Sequence, residues 1–260
     1  MPGTTQLYVI GLGIKIPDHV TVEATAAMAA CNCIYTVIQE KPALWLPRDT
    51  TGQIPVINLL EAYTDGAIRT ENYDRAANSV FQAIEPEKTV GYVTYGNPMS
   101  YDSVAQGLVR LATGAGTSFT VVPGISSVDT ILCDLGVDMA PALQVYEASW
   151  LYASGSQLRT DAAALLLQIS AFGSWRANYH SRPQGSSLSS LVEYLCRTYP
   201  PDLEVCIARS AGLRGQRRNA LRIELQNLCE IPTSDLLNAS LYIPAFSQPA
   251  FDEAVLKQML

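Results

Sequence analysis

The 260-residue sequence predicts an α/β protein built as two subdomains. Three observations carry that prediction. Apolar residues make up 48% of the chain and charged residues 16%, enough to bury a sizeable core. Through the first half, short β-rich apolar runs alternate with helix-patterned runs, as in parallel strands joined by crossover helices. In the second half, three strand signals follow one another with no clear helix between them, which points to antiparallel pairing. The boundary is expected near 122–126, giving subdomains 1–123 and 124–260.

The elements follow in order. Gln6 to Ile10 reads as a strand ending in Gly11-Leu12-Gly13. Thr21 is a suitable N-cap for an Ala-rich helix from Val22 to Cys31. Cys33 to Ile38 reads as a buried strand. Asn72 to Ile84 has helical spacing, with Ala76, Ala77, Val80, Phe81 and Ile84 on one face. Val90 to Tyr95 is a strand that stops at Gly96-Asn97-Pro98. Ser103 to Thr113 is a helix, Ser118 to Val122 a strand stopped by Pro123-Gly124, and Ile125 to Leu135 a helix. Beyond it, Leu143 to Glu147 and Ala164 to Ile169 read as strands. Residues 170–187 lack periodicity and read as a long loop. Leu188 to Arg197 is a helix; Glu204 to Arg209, Ala220 to Glu224 and Ala239 to Ile243 are strands. The tail from Phe251 is helical in pattern.

Several function classes fall away. A net charge of −7 argues against a nucleic-acid partner. The longest apolar stretches, Ala26 to Cys31 and Ala162 to Leu167, are far short of the roughly 20 residues a membrane helix needs. The N-terminus has no basic region and runs straight into a strand, so no secretory signal is read. Cys31, Cys33, Cys133, Cys196, Cys206 and Cys229 form no CxxC pair, so reduced thiols and a cytoplasmic location are expected. Cys31 and Cys33 read as packing residues. His19 and His180 are the only histidines, His19 reads as a loop residue, and no metal site is expected. Arg214, Arg217 and Arg218 read as a solvated basic loop.

Gly11 and Gly13 sit between a strand and a helix, but Ile16 stands where a dinucleotide fingerprint needs its third glycine. A tight turn without ligand contact explains the pair as well. Two later strand ends are more informative. Tyr95-Gly96-Asn97-Pro98-Met99-Ser100-Tyr101 and Val121-Val122-Pro123-Gly124-Ile125-Ser126-Ser127 are both shaped by Gly and Pro at the sheet's carboxyl edge, where open α/β sheets bind ligands. The helix N-termini that follow could offer N–H donors to an anionic group.

Gly11-Leu12-Gly13, YGNPMSYDS and VVPGISSVDTILCDLGVDMA together resemble the tetrapyrrole (porphyrin/corrin) methylase superfamily. The resemblance covers most of the chain in order. It implies two α/β subdomains, S-adenosylmethionine (SAM) bound in a cleft between them, and a homodimer. It places the cofactor on Gly96, Pro98, Met99, Ser100, Tyr101, Ser126, Ser127, Leu167, Gln168, Ala239 and Ser240. A valine at Gly96 is expected to block binding by setting a Cβ against the ligand.

A finer resemblance lies in Tyr63, Arg69 and Tyr73, spaced by six and four, with Tyr95 before Gly96. This set, with Tyr146-Glu147-Ala148-Ser149 and Leu241-Tyr242-Ile243-Pro244, is similar to the borosin peptide α-N-methyltransferases. It implies methylation of backbone amides in a precursor peptide with leader and core. The loop Asn97-Pro98-Met99 departs from the usual borosin form and is closer to small-molecule enzymes. The tail is no obvious core peptide, so a separate peptide is the expected partner. The resemblance gives Arg69 the task of lowering a tyrosine pKa and supporting an oxyanion. Tyr63 or Tyr73 would take the amide proton, and Tyr95 would orient the acceptor. The alternative is a tetrapyrrole or other small-molecule methylase. A non-catalytic protein retaining the fold would reveal itself by failing to bind SAM.

Overall fold

The computed structural model describes residues 5–176, 188–231 and 236–259. Part of the expected long loop, 177–187 with His180, lies outside the described residues. The chain divides into two compact units. The first runs through Ile131 and regains Trp175, Arg176 and Ser210–Arg217; the second takes up the rest from Leu132 onward.

The first unit begins β1 (Leu7–Gly11), α1 (Val22–Ala29), β2 (Cys33–Thr36) and β3 (Val56–Asn58). It continues with α2 (Arg69–Gln82), β4 (Val90–Thr94), α3 (Ser103–Ala115), β5 (Phe119–Val122) and the start of α4 (Ser127–Leu135). Its sheet has the order β3-β2-β4-β1-β5, and every pair in it is parallel. All five residues of β4 are buried, because a central parallel strand is covered on both faces. Gly91 leaves space for its neighbour: a Cβ there would lie 2.8 Å from Cys31 Sγ. Thr21 caps α1 through Ala24 N–H, as its position in the sequence predicts. β3 escapes the sequence reading, since three residues are too few to show alternation.

Alternate residues of a strand face opposite sides of a sheet. Val9 and Tyr92 belong to one core cluster with Val80, Val104 and Leu108. Ile10 and Val93 belong to the other, with Met28, Ile34 and Trp45. The two clusters therefore cover opposite faces.

The second unit holds β6 (Leu143–Glu147), α5 (Ala148–Ser154), β7 (Ala163–Leu167), α6 (Ser189–Leu195) and β8 (Glu204–Arg209). It ends with β9 (Asn219–Glu224), β10 (Ser240–Ile243) and α7 (Glu253–Met259). Its sheet order is β6-β7-β10-β8-β9. β6 and β7 are parallel, and β7, β10, β8 and β9 pair antiparallel in turn, as the missing crossover helices predict. The helix α5 was not read from the sequence. It starts directly after β6 with no turn residue, is capped by Glu147, and leaves Trp150 and Tyr152 exposed, so no apolar face announces it.

The basic loop is not simply solvated. Arg214 pairs with Asp18, which Lys15 also holds at 2.9 Å, and Arg218 lies 3.7 Å from Asp134. His19 sits in the same turn and accepts Lys15 N–H at Nδ1, a loop role. Among the described residues no helix is long and apolar enough to cross a membrane, and no group of three or more potential ligands could hold a metal.

Burial pushes the Cys31 thiol up to about 12 from an ordinary value of 9.0, with a smaller contribution from Cys33. The unfolded chain therefore ionises this thiol from about pH 9, while the fold resists it up to about 12. The thiol's contribution is complete below pH 9 and is lost as pH rises toward 12, at up to about 1.4 kcal/mol per pH unit. Thermal unfolding between pH 7 and 11 should show Tm falling above pH 9, less steeply in Cys31→Ala. A flat Tm in this range contradicts the burial.

Candidate active site

Three strand ends of the first sheet meet through glycines. Gly13 and Gly96 pair through Gly13 N–H to Gly96 O at 3.2 Å and Gly96 N–H to Gly13 O at 3.0 Å. A Cβ on Gly11 would stand 2.3 Å from Gly96 O and 2.8 Å from Gly124 N. One on Gly124 would stand 2.2 Å from Gly96 O and 2.7 Å from Gly13 N. The early glycine pair is thus demanded by crossing backbones and needs no ligand to explain it.

This junction fixes the loop that follows β4. Asn97 Oδ1 accepts Met99 N–H at 2.9 Å, and Asn97 O accepts Ser100 N–H at 2.9 Å, forming a side-chain-supported turn. Pro98 is buried; Met99 and Tyr101 are exposed, and Tyr101 takes a positive φ of 62°. Gly96 itself has φ 61°, and its missing Cβ would face Ile14 Cδ1 at 3.3 Å. A valine at 96 would therefore strain the loop backbone, a different cause from the direct ligand clash expected from sequence.

The two helix starts are already occupied. Asp102 Oδ1 caps α3 through Ala105 N–H at 2.9 Å. Asp129 Oδ2 accepts both the amide and the hydroxyl of Ser126, at 2.8 and 2.6 Å. The expected offer of free N–H donors to an anion is thus reduced, because each start carries its own carboxylate. A carboxylate at each start disfavours a phosphate-bearing ligand and is compatible with SAM, which carries a cationic sulfonium and no phosphate.

In the second unit, β10 runs antiparallel to β7 with Leu241 opposite Leu166, which brings Ser240 and Ala239 beside Leu167 and Gln168. Leu167, Ala239 and Ser240 are buried, and Gln168 is exposed. Gln168 and Asn238 both have φ 57°. Two non-glycine residues in the left-handed region at one sheet edge mark a constrained turn of the kind found at ligand sites. Glu147, in register with Leu167, spends Oε2 on Trp150 N–H at 2.6 Å.

The four expected catalytic residues lie in the first unit but do not all share one face. Tyr63, only 7% exposed, follows a short 3-10 turn, Leu59–Ala62, and its ring centroid is 6.2 Å from that of Tyr73. Both pack in the Val9 cluster. Buried Asn72 ties them: its Oδ1 accepts Thr64 N–H and its Nδ2 donates to Thr64 O, each at 3.0 Å. The neighbours of Thr64 and Asn72 in the chain are Tyr63 and Tyr73. Arg69 opens α2, half-buried, and its amide donates to Trp175 O at 2.8 Å. Tyr95 packs against the opposite cluster, and its hydroxyl donates to Glu40.

The electrostatics of Tyr63 differ from expectation. Burial, then Tyr73, then Asp102 push its pKa upward. Asp102 also accepts the hydroxyl of fully buried Tyr92 at 3.0 Å. Burial, the largest cause, raises the Tyr63 pKa, opposite in direction to the lowering expected of a catalytic base. Asn72, Asp102 and Glu40 were missed in the sequence. Only Asp102 carried a local signal, as a helix-cap residue before Ser103.

Curated relatives include a "methyltransferase/ribosomally synthesized type I borosin cyclic peptide precursor" from Coprinopsis marcescibilis, 24% identical over 203 residues, covering 77% of this chain and 51% of that protein. A type I borosin precursor from Serendipita vermifera subsp. bescii is 23% identical over 258 residues, covering 96% and 61%. This chain thus spans about half to three-fifths of the relatives' length. Among solved structures, the methyltransferase CobJ superposes with TM-score 0.62 at 16% identity, covering 96% of this chain and 98% of that one. The uroporphyrin-III-C-methyltransferase of Thermus thermophilus does so with TM-score 0.60 at 17% identity, covering 92% and 91%. These show the shared fold of two α/β subdomains. The sequence profile of the tetrapyrrole (corrin/porphyrin) methylases matches residues 6–226. The chain belongs to that family.

Proposed function

We propose that this enzyme methylates backbone amide nitrogens of a separate precursor peptide, acting as a homodimer. The observation that carries the reading is the Tyr63–Tyr73 pair, with Arg69 on the first turn of the same helix as Tyr73. The borosin precursors among the relatives add to it. On this reading the cofactor contacts in the first unit come from Gly96, Pro98, Met99, Ser100, Tyr101, Ser126 and Ser127. When bound, it supplies a methyl group on a sulfonium, ready for in-line transfer.

The chain's own residues must do the rest. A backbone amide nitrogen is a poor nucleophile until its proton leaves and charge gathers on its oxygen. Arg69 meets that oxygen with a planar guanidinium, which strengthens as the charge grows. A tyrosine takes the proton. The buried wall of Tyr63 and Tyr73 keeps water away and orients the acceptor.

A tetrapyrrole or another small molecule is the second acceptor class. The family description and the tetrapyrrole methylases among the solved structures speak for it more directly than for a peptide. Asn97-Pro98-Met99 also resembles the small-molecule loop. Mass spectrometry separates the two. The protein is incubated with SAM and either a short peptide encoded beside its gene or a porphyrinogen. Backbone methyl groups on the peptide are expected. Methylation of the porphyrinogen with an unmodified peptide overturns the reading.

A further inference from the structure

Tyr95 stands one residue before Gly96, and its hydroxyl donates to the Glu40 carboxylate. Glu40 follows β2, the strand paired with β4, and is half-buried. Its main-chain carbonyl accepts the indole N–H of buried Trp45 at 3.0 Å, which anchors the segment. A phenol has one proton to give and lone pairs to receive. With that proton on Glu40, Tyr95 can meet another group only as an acceptor. It is then unsuited to donate to an amide carbonyl and suited to receive an N–H. Tyr63 is buried on the opposite face, in the cluster that holds Tyr92 and packs Tyr73.

We propose that Tyr95 and Glu40 form a proton relay: Tyr95 Oη takes the acceptor's proton while its own proton passes to Glu40. The step balances. The acceptor N–H bond breaks and an N–CH3 bond forms; the electron pair of the broken S–C bond stays on sulfur. The proton ends on Glu40 and is released to solvent. Among the described residues, Tyr95 donates to Glu40 and exposed Lys41 follows it in the chain. The N–H acceptor rests on the peptide reading, but a small-molecule acceptor that loses a proton would use the same route.

The test has a spectroscopic and a kinetic arm, both on the full chain. Tyrosine labelled with carbon-13 at Cζ gives a Tyr95 resonance, assigned by its loss in Tyr95→Phe. That resonance should shift between the parent and Glu40→Gln while Tm stays unchanged. A Tyr95 resonance indifferent to Glu40→Gln overturns the pairing. Single-turnover methylation is then followed with the neighbour-encoded peptide and with a porphyrinogen. Glu40→Gln should be slower by on the order of 10²-fold, lose the acid limb of the pH–rate profile, and bind SAM as before. Adding Glu40→Gln to Tyr95→Phe should cost nothing further, because the two act as one unit. A parental rate in Glu40→Gln, or fully additive losses, overturns the relay. Methylation of the porphyrinogen alone retires the peptide reading, and the relay is then judged on that acceptor.

Discussion

Arg69→Lys will slow single-turnover methylation by on the order of 10²–10³-fold and leave SAM affinity unchanged. Arg69 is fixed at the first position of α2, where its amide donates to Trp175 O and Asn72 holds the turn against Thr64. Its head group is therefore presented from a rigid start. An ammonium keeps the charge but loses the planar fork that follows a carbonyl oxygen as it becomes an oxyanion. The lost interaction belongs to the transition state, so it appears in rate and not in cofactor binding. Tyr73→Phe should also be slow. Tyr63→Phe should lose less, since the burial that pushes its pKa upward keeps the phenol un-ionised and away from an incoming acceptor. Calorimetry of SAM binding beside rapid-quench methylation measures both quantities. Parental rates in Arg69→Lys, Tyr63→Phe and Tyr73→Phe together would end the tyrosine–arginine mechanism. A methyltransferase that works by positioning alone, on a small molecule, would then remain.

Gly124→Ala should cost about 3 kcal/mol or more of folding stability, and Gly11→Ala a similar amount. Neither glycine has a positive φ; space is the reason. The added methyl would stand within 2.8 Å of backbone atoms from two other segments, and backbone at a strand junction cannot swing aside as a side-chain end can. SAM affinity should fall with stability, because the same junction holds the Gly96–Tyr101 loop. Gly114 provides the opposite case. It lies inside α3 with nothing within 4 Å of its missing Cβ, so Gly114→Ala should stabilise by about 0.5–1 kcal/mol. Urea denaturation of the three variants checks the ranking. A Gly124→Ala protein as stable as its parent contradicts the close backbone crossing.

The sequence by itself determined the architecture. Strands with all five residues apolar or buried, such as Val90–Thr94, declare themselves through composition, because a parallel strand covered on both faces has no polar side. Helices of the first half declare themselves through 3.6-residue spacing, and Thr21 through local capping chemistry. The spacing of Tyr63, Arg69 and Tyr73 was legible for the same local reason, since one helix start carries two of the three. Tertiary structure alone decided which of these residues face one another. It set Tyr95 against Glu40, 55 positions away, and against a different core from Tyr63. It gave Tyr63 a carboxylate neighbour in Asp102. It also turned Gly11 and Gly13 from a possible nucleotide loop into a packing requirement. Such pairings depend on the side of the sheet that each strand end reaches and on how closely two backbones cross. Both are set by long-range packing, which no local pattern of residues records.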